Sequence, residues 1–308
     1  MWLTRNATHT AATPPQGLRM STLRFRSVFV SDVHLGTPDC QAEYLLDFLR
    51  AMRCETLYLV GDIVDLEALA QRPYWPPSHS AIVAELLAIA HRGTRVIYLP
   101  GNHDAPMRAL CGQRIGGIEL EWNACHVAAD GRRYRVAHGD EFDPEHIGRS
   151  WLIRLGDSAH RLLLWTNRNF NRLRRRLRLA YLPLAIITKS RVAQALLYIR
   201  QYESRVAAAA REHGVDGHIC GHIHFGGVRE IEGVVYLNDG DWVEHCTALT
   251  EDFEGRMSLL HWSEHRTRIG SVEANRVHPS QAACLAFASL SAHAEAVKTV
   301  QDALKRAA

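Results

Sequence analysis

Three short apolar runs near the start of the chain each stop at a polar, ligand-rich turn, and this arrangement narrows the fold most. Arg24–Ser31 runs into Asp32-Val33-His34, Thr56–Val60 into Gly61-Asp62, and Thr94–Leu99 into Pro100-Gly101-Asn102-His103-Asp104. Between them Ala42–Met52 places Tyr44, Leu45, Phe48, Leu49 and Met52 at helical spacing, and Ser80–His91 reads as a second helix. Strands alternating with helices indicate a layered α/β sheet, whose chemistry gathers at the carboxyl ends of its strands. Residues 117–138 then change to hairpin chemistry around Ala129-Asp130-Gly131 and deliver His138-Gly139-Asp140. Val215–Cys220 returns to strand and ends in Gly221-His222-Ile223-His224, and two further β pairs turn at Glu232-Gly233 and Glu254-Gly255.

The five motifs offer carboxylate, amide and imidazole donors. Loops of this kind meeting at one sheet edge can hold two metal ions. A pair of divalent ions about 3.5–4 Å apart suits phosphate-ester hydrolysis, because it activates a water and neutralises phosphoryl oxygens. Mixed carboxylate, amide and imidazole ligands favour Mn²⁺, Fe or Zn²⁺ over the all-oxygen shell of Ca²⁺. Singly, each motif has a plainer reading. Asp62 or Asp65 can cap the segment that follows, Asn102 suits a turn, and His138 alone is an ordinary polar histidine. The ordered set of five is what separates them from chance.

Composition excludes several classes. An apolar content of 47% with 22% charged residues describes a globular chain. The seven cysteines are scattered without a Cys-x-x-Cys pair, which argues for a reducing compartment and against a zinc-thiolate site or disulfide framework. Cys220, beside the last motif, reads as a buried strand thiol. No apolar stretch approaches the roughly 20 residues that span a bilayer. The first twenty or so residues lack a signal-peptide core. They are expected to form a disordered tail, with Met20 as an alternative start, and the chain is expected to be cytoplasmic.

The net charge of +3 conceals a strong asymmetry: residues 149–178 hold nine arginines against one acid, Asp157. From 145 to about 213 the spacing is helical throughout. Leu152, Leu155, Ala159, Leu162, Leu163, Phe170, Leu173 and Leu177 cluster on one side of a helical wheel, and Arg154, Arg161, Arg168, Arg172 and Arg175 on the other. The expected organisation is a tail over 1–23, a core over 24–144 and 214–265, a basic helical insertion over 145–213, and an extension over 266–308 with an Ala-rich helix.

In this order the motifs resemble those of the calcineurin-like metallophosphoesterase superfamily, over about residues 25–262. The resemblance implies an α/β fold, a layered αββα sandwich with a helical cap insertion. It implies that Asp32, His34 and His224 hold one metal, that Asp62 bridges, and that Asn102, His138 and His222 complete the second. His103 takes the position of the family's non-ligand histidine, which contacts the phosphate and assists the leaving group. Asp104 is expected to orient His103 by a hydrogen bond, as carboxylates commonly orient imidazoles. Asp65 falls at the acidic position after the bridging motif, in a structural or supporting role.

Within the superfamily the chain is similar to the UDP-2,3-diacylglucosamine pyrophosphatases of lipid A biosynthesis. The matching features are Ser31-Asp32-Val33-His34-Leu35-Gly36, the passage from His138-Gly139-Asp140 into a basic insertion, and Asn238-Asp239-Gly240-Asp241-Trp242. The similarity implies release of UMP and an acylated sugar phosphate, through attack of metal-activated water on the α-phosphate. It also implies two divalent ions, Mn²⁺ first with Fe or Zn²⁺ as alternatives, and a cap that receives the acyl chains. Ser190, Arg191 and Gln194 loosely echo a cap motif of that family and are the expected substrate contacts. An amphipathic basic helix rimmed by Leu164 and Trp165 suits the anionic inner face of an inner membrane; its interleaved leucines favour lipid over a nucleic-acid backbone. Two positions depart from the best-described branch: His103 stands where that branch has arginine, and Ile223 where it has threonine. The alternatives are the same chemistry on a nucleotide, nucleic-acid or protein phosphoester, and a non-catalytic metal-binding scaffold.

Overall fold

In the computed structural model the described residues are 23–143, 193–262 and 267–272, with a few helical positions between 166 and 177. Alternation along β1 (Leu23–Val30) sets the plan of the molecule. Val28 and Val30 join one core, and Phe29 between them joins another. The next two strands, β2 (Met52–Leu59) and β3 (Arg95–Tyr98), repeat the pattern: Leu57, Leu59, Val96 and Tyr98 face the first core, and Tyr58 and Ile97 the second. A side-chain period of two buried on both faces requires a covering layer on each side.

Helices α1 (Ala42–Ala51) and α3 (Pro77–His91) cover the first face with Leu45, Phe48, Leu49, Ile82, Leu86 and Ile89. Trp242 and Trp262 pack against Phe48 at ring-centroid distances of 5.5 and 5.2 Å. A short helix, α2 (Leu66–Gln71), lies between them, capped by Asp65, whose Oδ1 accepts from the Ala68 N–H at 2.7 Å. The sheet also contains β4 (Arg114–Ile115), β5 (Ile118–Leu120), β11 (Thr247–Glu251), β12 (Met257–His261) and β13 (Thr267–Val272). Its order is β13-β12-β11-β1-β2-β3-β5-β4, with β1, β2 and β3 mutually parallel.

The second face meets another sheet. It comprises β6 (Ala124–Val127), β7 (Arg133–Val136), β8 (Gly217–Cys220), β9 (Gly227–Ile231) and β10 (Val234–Asn238), ordered β6-β7-β8-β10-β9. Tyr134, Val136, Ile219, Val235 and Leu237 pack between the sheets against Phe29, Tyr58 and Ile97. Phe29 and Tyr58 stack with centroids 4.7 Å apart. The outer face of this sheet is covered by α4 (Ala193–Glu212), through Tyr202, Val206, Ala207 and Ala210. The layers are therefore helix, sheet, sheet, helix, an α/β sandwich of the expected αββα type.

All three hairpin turns read from sequence are present. Glu232 and Gly233 take φ of 50° and 81°, the left-handed pair that a two-residue turn needs to match strand twist. Two boundaries change. Helix α4 was expected inside the insertion, but its buried positions Ile199, Tyr202, Val206, Ala207 and Ala210 recur at helical steps and make it a layer of the sandwich. Strand β13 lies in the stretch assigned to the extension, so the first sheet continues past residue 265. Ser190 and Arg191 lie outside the described residues, as do the tail and the Ala-rich segment; Gln194 is described by backbone alone, in the first turn of α4.

Candidate metal centre

The parallel strands β1, β2 and β3 of one sheet and β7 and β8 of the other end at the same edge, so their loops converge. Backbone bonds stitch these loops together: Asp32 N to Gly61 O at 3.1 Å, His34 N to Asp62 O at 2.9 Å, and Gly221 N to His138 O at 3.0 Å. Between the sheets, His222 N donates to Oδ2 of Asp32 at 2.8 Å. Asp32, His34, Asp62, His222 and His224 all have positive φ, between 49° and 70°. They are five of the seven non-glycine residues in that state among the described residues. Left-handed backbone at non-glycine residues is strained and persists where surrounding structure fixes it, which happens most at functional sites. The motif glycines answer a different demand. A Cβ at Gly221 would meet Ser31 Oγ and Asp32 Oδ2, and one at Gly101 would meet Asp62 Oδ1 and the His138 ring.

Three donor groups result. Asp32, His34 and His224 form one, Asp32, Asp62 and His138 another, and His34, Asp62 and His103 a third, with the atoms of each within 4.8 Å of one another. The histidine tautomers are set by what their other nitrogens touch. His34 Nδ1 lies 3.0 Å from Oδ2 of Asp65, and His138 Nδ1 lies 2.8 Å from the Val60 carbonyl oxygen. Both partners only accept, so each Nδ1 carries the proton and each Nε2 turns a lone pair inward. There His138 Nε2 meets Asp62 Oδ2 at 3.2 Å, and His34 Nε2 meets His224 Nε2 at 3.2 Å. His224 Nε2 is also 3.1 Å from Asp32 Oδ1. Lone pairs facing one another in a buried site repel unless a positive charge lies among them.

The remaining polar atoms tell the same story. Oδ1 of Asp32, Oδ1 of Asn102 and Nε2 of His138 are buried and make no hydrogen bond. Buried polar atoms are nearly always paired, and metal coordination satisfies such a set. Without a cation the same atoms would take protons. Burial alone would lower the His138 pKa, but Asp62 and Asp32 overcome it and raise it well above the ordinary imidazole value. Burial would likewise raise the Asp62 carboxyl; His138, with His34 and His103, instead holds it far below the carboxylate range. The donor set therefore fits divalent metal ions.

Of the expected residues, Asp32, His34, Asp62, His103, His138 and His224 fall in these groups, and His222 lies beside His138 with ring centroids 5.2 Å apart. One expectation changes. Asp104 does not orient His103. Its carboxylate is fully buried and accepts from Ile63 N at 2.9 Å, from Gly101 N at 2.5 Å and from the Tyr98 hydroxyl at 2.5 Å, so it pins the Gly101–Asp104 loop to the end of β2. The carboxylate beside His103 is that of Asp65, whose Oδ2 lies 3.2 Å from His103 Nδ1. The helical turn after Asp65 brings this about: the residue caps α2 with one oxygen and faces two imidazoles with the other. His103 is partly exposed, and its backbone N–H donates to Asp62 Oδ1 at 2.8 Å. Sequence reading missed Asp143, whose Oδ2 lies 3.1 Å from His222 Nε2. It also gave no role to Ser31, whose hydroxyl lies 2.5 Å from Asp32 Oδ2 and 2.6 Å from Asp239 Oδ1. Asp143 belongs to no motif, and Ser31 opens the Ser31–Gly36 motif without being one of its candidate ligands. Cys220 is fully buried in β8 as read from the sequence, and burial pushes its thiol pKa up.

The family model described as calcineurin-like phosphoesterase matches residues 25–226. A UDP-2,3-diacylglucosamine hydrolase of Aeromonas salmonicida is 28% identical over 233 residues, covering 72% of this chain and 88% of that protein. A UDP-2,3-diacylglucosamine hydrolase of Chromohalobacter salexigens is 26% identical over 211 residues, covering 66% and 82%. Among solved structures, Yfce, a phosphoesterase from E. coli, aligns with a TM-score of 0.43 at 15% identity, covering 81% of this chain and 99% of that one. Since the match spans all five ligand loops, the chain belongs to the calcineurin-like phosphoesterase family of metal-dependent phosphoester hydrolases.

Proposed function

We propose that the chain hydrolyses the pyrophosphate bond of UDP-2,3-diacylglucosamine, releasing UMP and 2,3-diacylglucosamine 1-phosphate, with two divalent ions, Mn²⁺ first among them. Asp62 carries the two-metal reading, because its carboxylate belongs both to the donor group with Asp32 and His138 and to the one with His34. Asp32, His34 and His224 would hold one ion, Asn102, His138 and His222 the other, and Asp62 would be shared. Such a pair neutralises phosphoryl oxygens and makes a water nucleophilic at neutral pH.

The chain's own groups do the rest. His103 stands partly exposed at the edge of the cluster, where a phosphoryl group would lie. The adjacent Asp65 raises its pKa above the ordinary imidazole value. Nδ1 faces Asp65, so the other ring nitrogen is left to give a proton to the departing oxygen. Asp104 holds the loop that carries His103 in place.

The names of the Aeromonas and Chromohalobacter relatives support the substrate. Leu173 and Leu177, in the arginine-rich stretch, are 55% and 61% exposed, which supports contact with the membrane that holds a diacyl substrate. Purified protein with Mn²⁺ is expected to release UMP from UDP-2,3-diacylglucosamine. Cleavage of a generic phosphodiester without UMP release would overturn the substrate and leave the chemistry standing. His103 in place of the arginine of the best-described branch favours a second reading, the same hydrolysis on another phosphoester.

A further inference from the structure

Helix α4 carries a ridge that reaches the loop after His138. Tyr198, Tyr202 and Arg205 lie at steps of four and three, on one helical face. The Tyr202 hydroxyl donates to Gly139 O at 3.1 Å, Arg205 Nη1 to Phe142 O at 3.3 Å, and the Tyr198 hydroxyl to Oδ1 of Asp143 at 2.6 Å. The other oxygen of Asp143 lies 3.1 Å from Nε2 of His222. A carboxylate only accepts, so His222 carries its proton on Nε2 and keeps its lone pair on Nδ1. That is the reverse of His34 and His138, whose Nδ1 atoms are the ones engaged.

We propose that Asp143 and Tyr198 are positioning residues that fix His222 in the tautomer and orientation offering Nδ1 to the second metal, so that filling of that site depends on the seating of α4. Asp143 contributes little to the fold, since its side chain is 45% exposed and the residue follows the three-residue helical turn Asp140–Phe142 in extended backbone. Its bond to His222 is the kind of outer contact that sets ligand basicity and ring orientation. Tyr198 stops the carboxylate from turning to solvent. The inference rests on the two-metal reading above.

Mn²⁺ titration into metal-free protein, followed by the resonance signal of the free ion, tests it. Wild type is expected to take up two equivalents. Asp143→Ala is expected to weaken one of the two about 10–100-fold and leave the other unchanged. Tyr198→Phe should weaken the same site by a smaller factor and add nothing in the Asp143→Ala background. Asp143→Asn, which keeps an acceptor for the His222 N–H, should recover most of the affinity. Matching circular dichroism and thermal midpoints would show that each variant is folded. Two unchanged sites in folded Asp143→Ala, or a Tyr198→Phe effect that adds in full to it, would overturn the positioning role alone. Wild type that takes up fewer than two equivalents would overturn the two-metal reading and this inference together.

Discussion

Oδ2 of Asp65 lies 3.2 Å from Nδ1 of His103, and the same oxygen lies 3.0 Å from Nδ1 of His34. One carboxylate thus faces both a candidate metal ligand and the candidate proton donor, whose rings meet edge-on with centroids 4.8 Å apart. The neighbouring acid, Asp104, is spent on backbone N–H groups instead.

That division predicts opposite phenotypes. Asp65→Asn keeps the cap of α2, since asparagine caps as well as aspartate, but removes the charge that both imidazoles face. It is expected to lower kcat about 10–100-fold with little change in thermal midpoint. Asp104→Ala strands two buried N–H groups, each worth about 1–3 kcal/mol. It is expected to lower the urea midpoint sharply. Kinetics and urea unfolding of the two variants check this; the reverse pairing would show the roles to be exchanged.

His103 lies within 4.8 Å of donor atoms on His34 and Asp62, so proximity alone does not separate proton donor from ligand. Its removal does. His103→Ala is expected to reduce kcat about 10²–10⁴-fold, the usual worth of a positioned acid or base, while metal content stays at the wild-type level. Loss of an equivalent of metal would make His103 a ligand.

Protons and metal compete for the same lone pairs at His138, whose pKa stands well above the ordinary imidazole value in the metal-free protein. Metal binding is therefore expected to release protons, and affinity to fall as pH falls. Calorimetric titrations at pH 8 and pH 6 in buffers of different ionisation enthalpy measure both. Free metal at 100 times its dissociation constant should stabilise the fold by about 2.7 kcal/mol. A thermal midpoint indifferent to added metal would contradict the site.

The fold was legible because the strands announce themselves twice, by alternation and by the motifs that end them. Val28, Phe29 and Val30 face opposite cores as their spacing requires. Helix α4 was misassigned for a physical reason: Tyr202, Val206 and Ala210 form a stripe that fits a cap or a layer equally well, and only the partner face, Cys220 and Tyr236, decides. The ligand loops were legible through residue type, but their support was not. Asp65 and Asp104 are both acids near a motif, and what distinguishes them is the direction the backbone takes after each. Asp65 opens α2, which turns its carboxylate toward two histidines. Asp104 folds back beneath Gly101. Asp143 meets His222 across 79 residues of sequence, and no local spacing encodes that contact.

One histidine outside the site predicts how the whole fold responds to acid. His218 is fully buried in β8; burial, with Arg135 3.5 Å away, pushes its pKa down to about 3. The unfolded chain protonates this residue near its ordinary value of about 6.5. Between those values the unfolded state binds a proton that the native state refuses, so stability is full above about pH 6.5 and falls as pH drops. At pH 5 the loss from this residue is about 2 kcal/mol, at 1.36 kcal/mol per pH unit. His218→Gln, which carries no titrating ring, is expected to flatten this part of the profile while lowering stability at pH 7. Urea midpoints of both proteins from pH 7 to pH 5 measure it, and parallel profiles would show that the acid sensitivity arises elsewhere.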